Sequence, residues 1–282
     1  MLLRAFAKIN LVLRVGALRP DGFHEVRTVF QTIDWHDEIQ LEPATQFRFS
    51  SNAPPQDQSN LVVRAARMFE EAAGVVANVG IHLEKRLPVG AGLGGGSADA
   101  AVTFLGLMKL YDVRMPLEKQ RDALRSLGSD VPFFALGGRA FGIGRGDEIS
   151  PLEDITDYWL VVVPGVSVRT REAYSWLTTT ERPVSIEGFC AQFLSSAGEE
   201  PLVNDFERPV YARYPELQQI KEALLDHGAF DASLSGSGSA IFGQFRSEEQ
   251  ARSAMAMLAV GHPATLARPL SRQDYWTRLF DK

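Results

Sequence analysis

Between residues 5 and 13 the chain alternates, with Ala7, Ile9, Leu11 and Leu13 on one face of an extended strand and Phe6, Lys8, Asn10 and Val12 on the other. Two polar groups therefore interrupt an otherwise apolar strand. The segment Arg19-Pro20-Asp21-Gly22-Phe23-His24 then predicts a turn, because Pro presets φ and Gly permits positive φ. A returning strand is expected over about 26–33.

Helical spacing follows. Leu61, Val62, Ala65, Met68, Phe69 and Ala72 share one face, with Asn60 as a cap and Gly74 as a stop. A strand over about 80–87 runs through Pro88 into the loop GAGLGGGS, and residues 98–111 predict a helix leaving it. A helix over 116–127 and strands over about 138–150 close the first half. The second half predicts a strand from Tyr158, helices within 170–196 and 204–227, and strands at FDASLSG and SAIFGQF. A helix over 247–259 and a last strand end it. This order predicts an α+β protein with domains at 1–150 and 151–282. Residues 178–200 are polar enough to be a mobile surface segment.

Composition narrows the picture. A length of 282 residues suits two domains sharing a cleft, and 45% apolar with 23% charged residues excludes long disorder. The formal charge of −6 excludes a general nucleic-acid coat, so any anionic ligand must be held locally. A single cysteine, Cys190, excludes an internal disulfide framework and a multi-cysteine zinc site. Arg4, Lys8 and Asn10 interrupt any signal-peptide core, and no run of about 18 apolar residues occurs, so neither a membrane nor a nucleic-acid partner is expected. The expected compartment is the cytoplasm, and the expected form is a monomer or weak homodimer.

The loop carries five glycines in eight positions from Gly90. Backbone without Cβ atoms can turn successive N–H groups inward as an anion nest, and the following helix adds its own free N–H groups. A flexible connector is the bland alternative, but this loop joins two apolar elements and contains Leu93. A Walker A loop is excluded because no Gly-Lys-Ser/Thr follows. Gly90, Gly92 and Gly95 do satisfy the dinucleotide pattern G-x-G-x-x-G, yet the region near Asp112 reads as a loop and helix start, not as a strand ending in the acidic residue that fold needs.

Lys8 and Asn10 lie about 6.6 Å apart along a strand, so both can reach one ligand. Asp130 precedes Val131-Pro132; taken alone, a helix cap is its simpler role, and pairing with Lys8 would tip it toward proton handling. Ser235-Gly236-Ser237-Gly238-Ser239 would close the second side of a phosphate site if placed opposite the first loop.

Together, AKINL (7–11), RPDGFH (19–24), LPVGAGLGGGSADAA (87–101) and GSDVPFF (128–134) resemble the GHMP kinase superfamily in order and spacing over nearly the whole chain. The resemblance implies a ribosomal-protein-S5-like N-terminal domain, a ferredoxin-like C-terminal domain, and transfer of phosphate from ATP, with Mg²⁺, to an alcohol. RPDGFH directs it further, to the 2-hydroxyl of a CDP-linked methylerythritol in the non-mevalonate route to isoprenoids. Lys8 and Asp130 would be catalytic. Pro88, Val89, Gly90, Ala91, Gly92, Leu93, Gly94, Gly95, Gly96, Ser97 and Ala98 would wrap the ATP phosphates. Asn10, Phe23, His24, Tyr174, Gly236 and Gly238 would hold the cytidine substrate. Phe23 stands where the family commonly has Tyr, keeping a ring but no hydroxyl. No metal-ligand set can be read. Alternatives are a GHMP kinase for mevalonate or homoserine, and an inactive nucleotide-binding regulator.

Overall fold

In the computed structural model, which describes residues 1–177, 201–258 and 261–280, the N-terminal alternation belongs to a strand longer than its pattern, β1 (Leu2–Leu18). It pairs antiparallel with β2 (His24–Pro43), which extends well past the expected end at 33. The turn between them forms as its residues dictate: Gly22 takes φ 83°, and Asp21 Oδ1 accepts from the Phe23 N–H at 3.1 Å.

The ladder slips between Phe6 and Lys8. Lys8 pairs with Thr32 where an even ladder would give Asp34, and the strand bends and re-aims its side chains at this irregularity. Leu3, Ala5 and Phe6 accordingly all reach the cluster beneath the helices, whereas Ala7, Ile9 and Leu11 turn to the opposite face. Lys8 and Asn10 are thereby left buried on the helix side of the sheet.

Among the described residues seven strands form this first sheet. Its path runs β3 (Arg48–Ser51), β4 (Val79–Glu84), β2, β1, with β5 (Arg139–Ile143) on β2 and β6 (Glu148–Pro151) on β5. The helices α1 (Leu61–Ala73), α2 (Gly95–Leu110), α3 (Leu117–Leu127) and α4 (Val131–Phe134) cover one face. Asn60 caps α1 as expected, accepting from the Val62 N–H at 2.9 Å, and Gly74 ends it at φ 68°. Helix α2 starts earlier than the expected 98, so Gly95 and Gly96 belong to its first turn. It packs very close to the sheet: a Cβ on Gly106 would lie 2.4 Å from Leu3 Cδ1.

The second sheet comprises β7 (Tyr158–Val162), β9 (Asp231–Leu234), β10 (Ile241–Phe245) and β11 (Ala264–Ala267), antiparallel throughout in the order β11-β7-β10-β9. Helices α7 (Pro215–Asp226) and α8 (Glu248–Leu258) supply the crossovers, giving the ferredoxin-like arrangement and the two-part α+β fold that the sequence implied. Trp159, Val161 and Phe242 of this sheet pack against Ile9, Leu11 and Val29 of the first. Fully burying each such side chain contributes about 1.5–3 kcal/mol. Two later pieces join the first body. Strand β8 (Val203–Asn204) runs parallel beside β1, and α9 (Arg272–Leu279) buries Tyr275 and Leu279 in the first cluster. Cys190 and the polar segment 178–200, with the latter part of the helical region expected within 170–196, lie outside the described residues.

Candidate active site

Lys8 is 3% exposed, and its ammonium meets acceptors from three elements. Asn10 Oδ1 lies at 2.5 Å, the Gly92 carbonyl at 3.1 Å and Asp130 Oδ2 at 3.4 Å. The Phe30 ring adds a π face with its centroid 5.7 Å away. These partners offset the desolvation of a buried cation. Asp130 does not cap α4, since its side chain accepts no hydrogen bond from that helix and its backbone is helical, at φ −81°, ψ −14°. The carboxylate is instead 36% exposed beside Lys8 and faces a cavity. The structure therefore brings together the two residues whose pairing the sequence left open.

That cavity holds about 1040 Å³. Pro88 through Ser97 line it, while Ala98 is buried behind them in α2. Gly90, Gly92 and Gly94 take φ of 74°, 79° and 71°, and the intervening Ala91 and Leu93 are buried. Alternation of left-handed glycines with buried apolar residues holds the loop in one shape. Three bonds fix it further: Lys8 N–H to the Leu93 carbonyl (2.9 Å), Ala240 N–H to the Ala91 carbonyl (3.0 Å), and Ser235 Oγ to the Gly92 carbonyl (3.0 Å). The second glycine segment thus lies against the first. Gly236 and Ser237 line the cavity, whereas Gly238 sits behind them. At one margin α2 presents its first-turn N–H groups, a favourable seat for an anion.

The opposite end of the cavity gathers Phe23, His24 and Tyr174, the last from α5 (Thr170–Ser175). His24 Nδ1 donates to the Gly16 carbonyl at 3.0 Å, which leaves Nε2 of a neutral ring as an acceptor. The rings of His24 and Tyr174 stack at 5.3 Å and 27°, and Phe206 meets Tyr174 edge-on at 4.9 Å. Burial and then the charge of Asp130 push the Tyr174 hydroxyl up from its ordinary value. Asn10, expected at this end, has its amide engaged: Oδ1 accepts from Lys8 and Nδ2 donates to Thr28 Oγ1 at 2.7 Å.

Sequence reasoning missed several residues. Arg145 lines the cavity and lies 4.8 Å over the Phe23 ring, held by Asp147 Oδ2 at 2.8 Å. The run Asn204-Asp205-Phe206-Glu207 ties the parts of the site together. Asn204 Nδ2 donates to the Leu234 and Gly236 carbonyls at 2.7 and 2.8 Å, Asp205 Oδ2 accepts from the Val15 N–H, and Glu207 Oε1 accepts from Ser233 Oγ and the Leu234 N–H. The run spans the two-residue strand β8 and the start of α6 (Glu207–Tyr211), too short a stretch for a periodic signal, so it falls within the region where the spacing predicts a helix from 204. Asn204→Ala takes the amide donor from the buried Gly236 carbonyl and leaves the Leu234 carbonyl only a long 3.5 Å contact from Ser233 Oγ, at about 1–3 kcal/mol each. The expected result in urea unfolding is a loss of at least about 2 kcal/mol; a loss below about 0.5 kcal/mol removes Asn204 from this role.

Among the described residues no group of three or more His, Cys, Asp or Glu forms a metal cage. Among the described residues the carboxylates lining the cavity are Asp130 and Asp99, the latter buried against Lys85, with Ser97 and Ser129 as nearby hydroxyls. Such sparse donors fit a cation that takes most of its ligands from phosphate and water. Among the same residues no helix is long and apolar enough to cross a membrane.

Residues 60–138 match the GHMP kinases N terminal domain, and 186–260 the GHMP kinases C terminal domain. A 4-diphosphocytidyl-2-C-methyl-D-erythritol kinase of Solibacter usitatus is 46% identical over 255 residues, 86% of this chain and 81% of its own. A crystal structure of 4-(cytidine 5'-diphospho)-2C-methyl-D-erythritol kinase superposes with TM-score 0.82 at 36% identity, covering 95% of this chain and 99% of that one. Homoserine kinase from Cytophaga hutchinsonii, at 19% identity and TM-score 0.68 over 96% and 94% of the two chains, shares the fold.

Proposed function

The chain belongs to the GHMP kinases, within them to the 4-diphosphocytidyl-2-C-methyl-D-erythritol kinase family, and on that premise we propose that it transfers the γ-phosphoryl group of ATP to the 2-hydroxyl of that substrate in the non-mevalonate pathway. The observation that carries this reading is the Lys8–Asp130 pair, set between a glycine loop and a ring-lined pocket of one cavity.

The chemistry follows from the atoms present. The substrate O–H donates to the Asp130 carboxylate, which takes the proton as the oxygen attacks the γ-phosphorus; the bond to the β–γ bridging oxygen breaks and ADP leaves. Lys8 counters the negative charge that builds on the attacking oxygen and the phosphoryl group. Backbone N–H groups of the glycine loop and the first turn of α2 hold the phosphates in line. Mg²⁺ would screen the triphosphate, with Ser97 and Asp130 as the nearby protein oxygens. At the other end, His24 Nε2 would accept from the exocyclic amine of cytosine, the donor that distinguishes this base; the bond of Nδ1 to the Gly16 carbonyl supports this reading. A pyrimidine stacked on Tyr174 would take the face that His24 now covers. A lone cysteine suits the cytoplasm, the setting this reading assigns.

The test is ADP release with Mg-ATP and the cytidine substrate, with mevalonate and homoserine in parallel. Turnover with the cytidine compound alone is expected. Turnover with another alcohol alone overturns the substrate, and ATP binding without turnover overturns the enzyme. His24→Ala should raise KM for the cytidine substrate about tenfold, the equivalent of one lost hydrogen bond, and leave KM for ATP within about twofold. Equal rises in both would move His24 out of the pocket's chemistry.

A further inference from the structure

Helix α5 is short, yet its place in the wall of the cavity is fixed from several sides. Ala173 is buried in the second core cluster, Tyr174 stacks on His24 and meets Phe206 edge-on, and Thr170 Oγ1 lies 3.1 Å from Ser237 Oγ on the second glycine segment. Side chains three and four apart share a helix face. With Ala173 turned inward, Thr170, Arg171, Tyr174 and Ser175 occupy the remaining arc, and each of them lines the cavity.

Arg171 differs from the rest of that face. Its side chain is exposed and makes no hydrogen bond or ion pair among the described residues, whereas nearby Arg169 is taken by Glu172 at 3.6 Å. Among the same residues the other cationic side chains that line the cavity already have carboxylate partners: Lys8 has Asp130, Lys85 has the buried Asp37 and Asp99, and Arg145 has Asp147. Their charge is partly offset within the protein. Arg171 is the lining cation left uncompensated, in a chain of net charge −6.

Its neighbours indicate which anion it meets. A triphosphate on the glycine loop has the loop amides and the first turn of α2 to hold it. Arg171 lies within one helical turn of Tyr174 and next to Thr170, which touches Ser237, so it sits between the ring-lined end and the glycine segments. A substrate with its cytosine at the rings and its acceptor hydroxyl at Asp130 must pass its diphosphate through that interval. We propose that Arg171 is a specificity-determining residue that binds this diphosphate, so that the pocket selects a nucleoside diphosphate ester over the bare nucleoside; this rests on the reading that the ring-lined end holds cytidine. A guanidinium meets a phosphate through two parallel N–H donors, and an unpaired one attracts the anion across a Debye length of about 8 Å.

The experiment compares the wild type with Arg171→Gln and Arg171→Lys. Titration calorimetry measures CDP and cytidine separately at low and moderate salt, and steady-state kinetics gives KM for the full cytidine substrate and for Mg-ATP. Arg171→Gln should weaken CDP about tenfold and leave cytidine within about twofold, the loss of one charge-assisted contact at an exposed site. KM for the cytidine substrate should rise by the same factor, while KM for ATP and the melting temperature hold. Arg171→Lys keeps the charge without the fork and should recover about threefold of that loss. The salt dependence of CDP affinity should also be shallower in Arg171→Gln than in the wild type. An unchanged CDP affinity in Arg171→Gln overturns the assignment, as do equal losses for CDP and cytidine or a rise confined to KM for ATP. A wild type that binds neither CDP nor cytidine would instead refute the ring-lined end as the cytidine site, and the role of Arg171 with it.

Discussion

Asp130→Asn is expected to lower kcat by roughly two to four powers of ten, the contribution of a positioned general base, with KM for ATP moving less than about threefold. The amide matches the carboxylate in shape but cannot take the hydroxyl proton. Stability should hardly change, because the side chain makes no capping bond to α4 and is 36% exposed, so its ion pair with Lys8 adds little to folding. Steady-state kinetics with an unfolding curve on the same preparation separates the cases. An unchanged kcat removes Asp130 from proton transfer and leaves Lys8 with the loop as the catalytic machinery; a large fall in melting temperature would assign the lost activity to folding.

Lys8 is the harder residue to test cleanly. Its ammonium also occupies Asn10 Oδ1 and shares the Gly92 carbonyl with Ser235 Oγ, so Lys8→Met strands the buried Asn10 oxygen as it removes the charge. A loss of activity there mixes chemistry with folding. Asp130 is thus the position where the chemical question can be put alone.

How much of this site was legible depended on whether the signal was local. The turn at 19–24, the cap at Asn60 and the glycine loop follow from residue types whose backbone preferences act within a few positions. That Lys8 and Asn10 lie on the helix side of the sheet follows instead from the slip between Phe6 and Lys8, and register belongs to a pair of strands rather than to one. Asp130 reads as a cap because Asp before Val-Pro is a good one; only the approach of β1 across the cavity shows that its carboxylate turns the other way. The β8 run at Asn204 and the buried group of Asp37, Lys85 and Asp99 draw on partners 14 to 50 residues away or more, and nothing in their own neighbourhoods announces them.

Gly92→Ala is expected to abolish measurable phosphoryl transfer, a fall in kcat/KM of at least about a hundredfold, and to lower the melting temperature. Two effects add at this position. Its φ of 79° costs an L-residue about 1–2 kcal/mol, and a Cβ would stand 2.0 Å from the Ser235 carbonyl oxygen and 3.1 Å from that of Gly238, both backbone atoms without freedom to withdraw. The two glycine segments would have to separate, taking with them the Ser235 bond to Gly92 and the carbonyl that faces Lys8. Gly90→Ala isolates the first effect: φ is 74°, yet the added Cβ meets Ser167 Oγ alone, at 3.2 Å, the end of a side chain that can rotate. It should therefore cost only the backbone term and lower kcat/KM about tenfold or less. Equal losses in the two variants would mean that left-handed backbone, rather than the contact between the loops, sets the shape of the phosphate site.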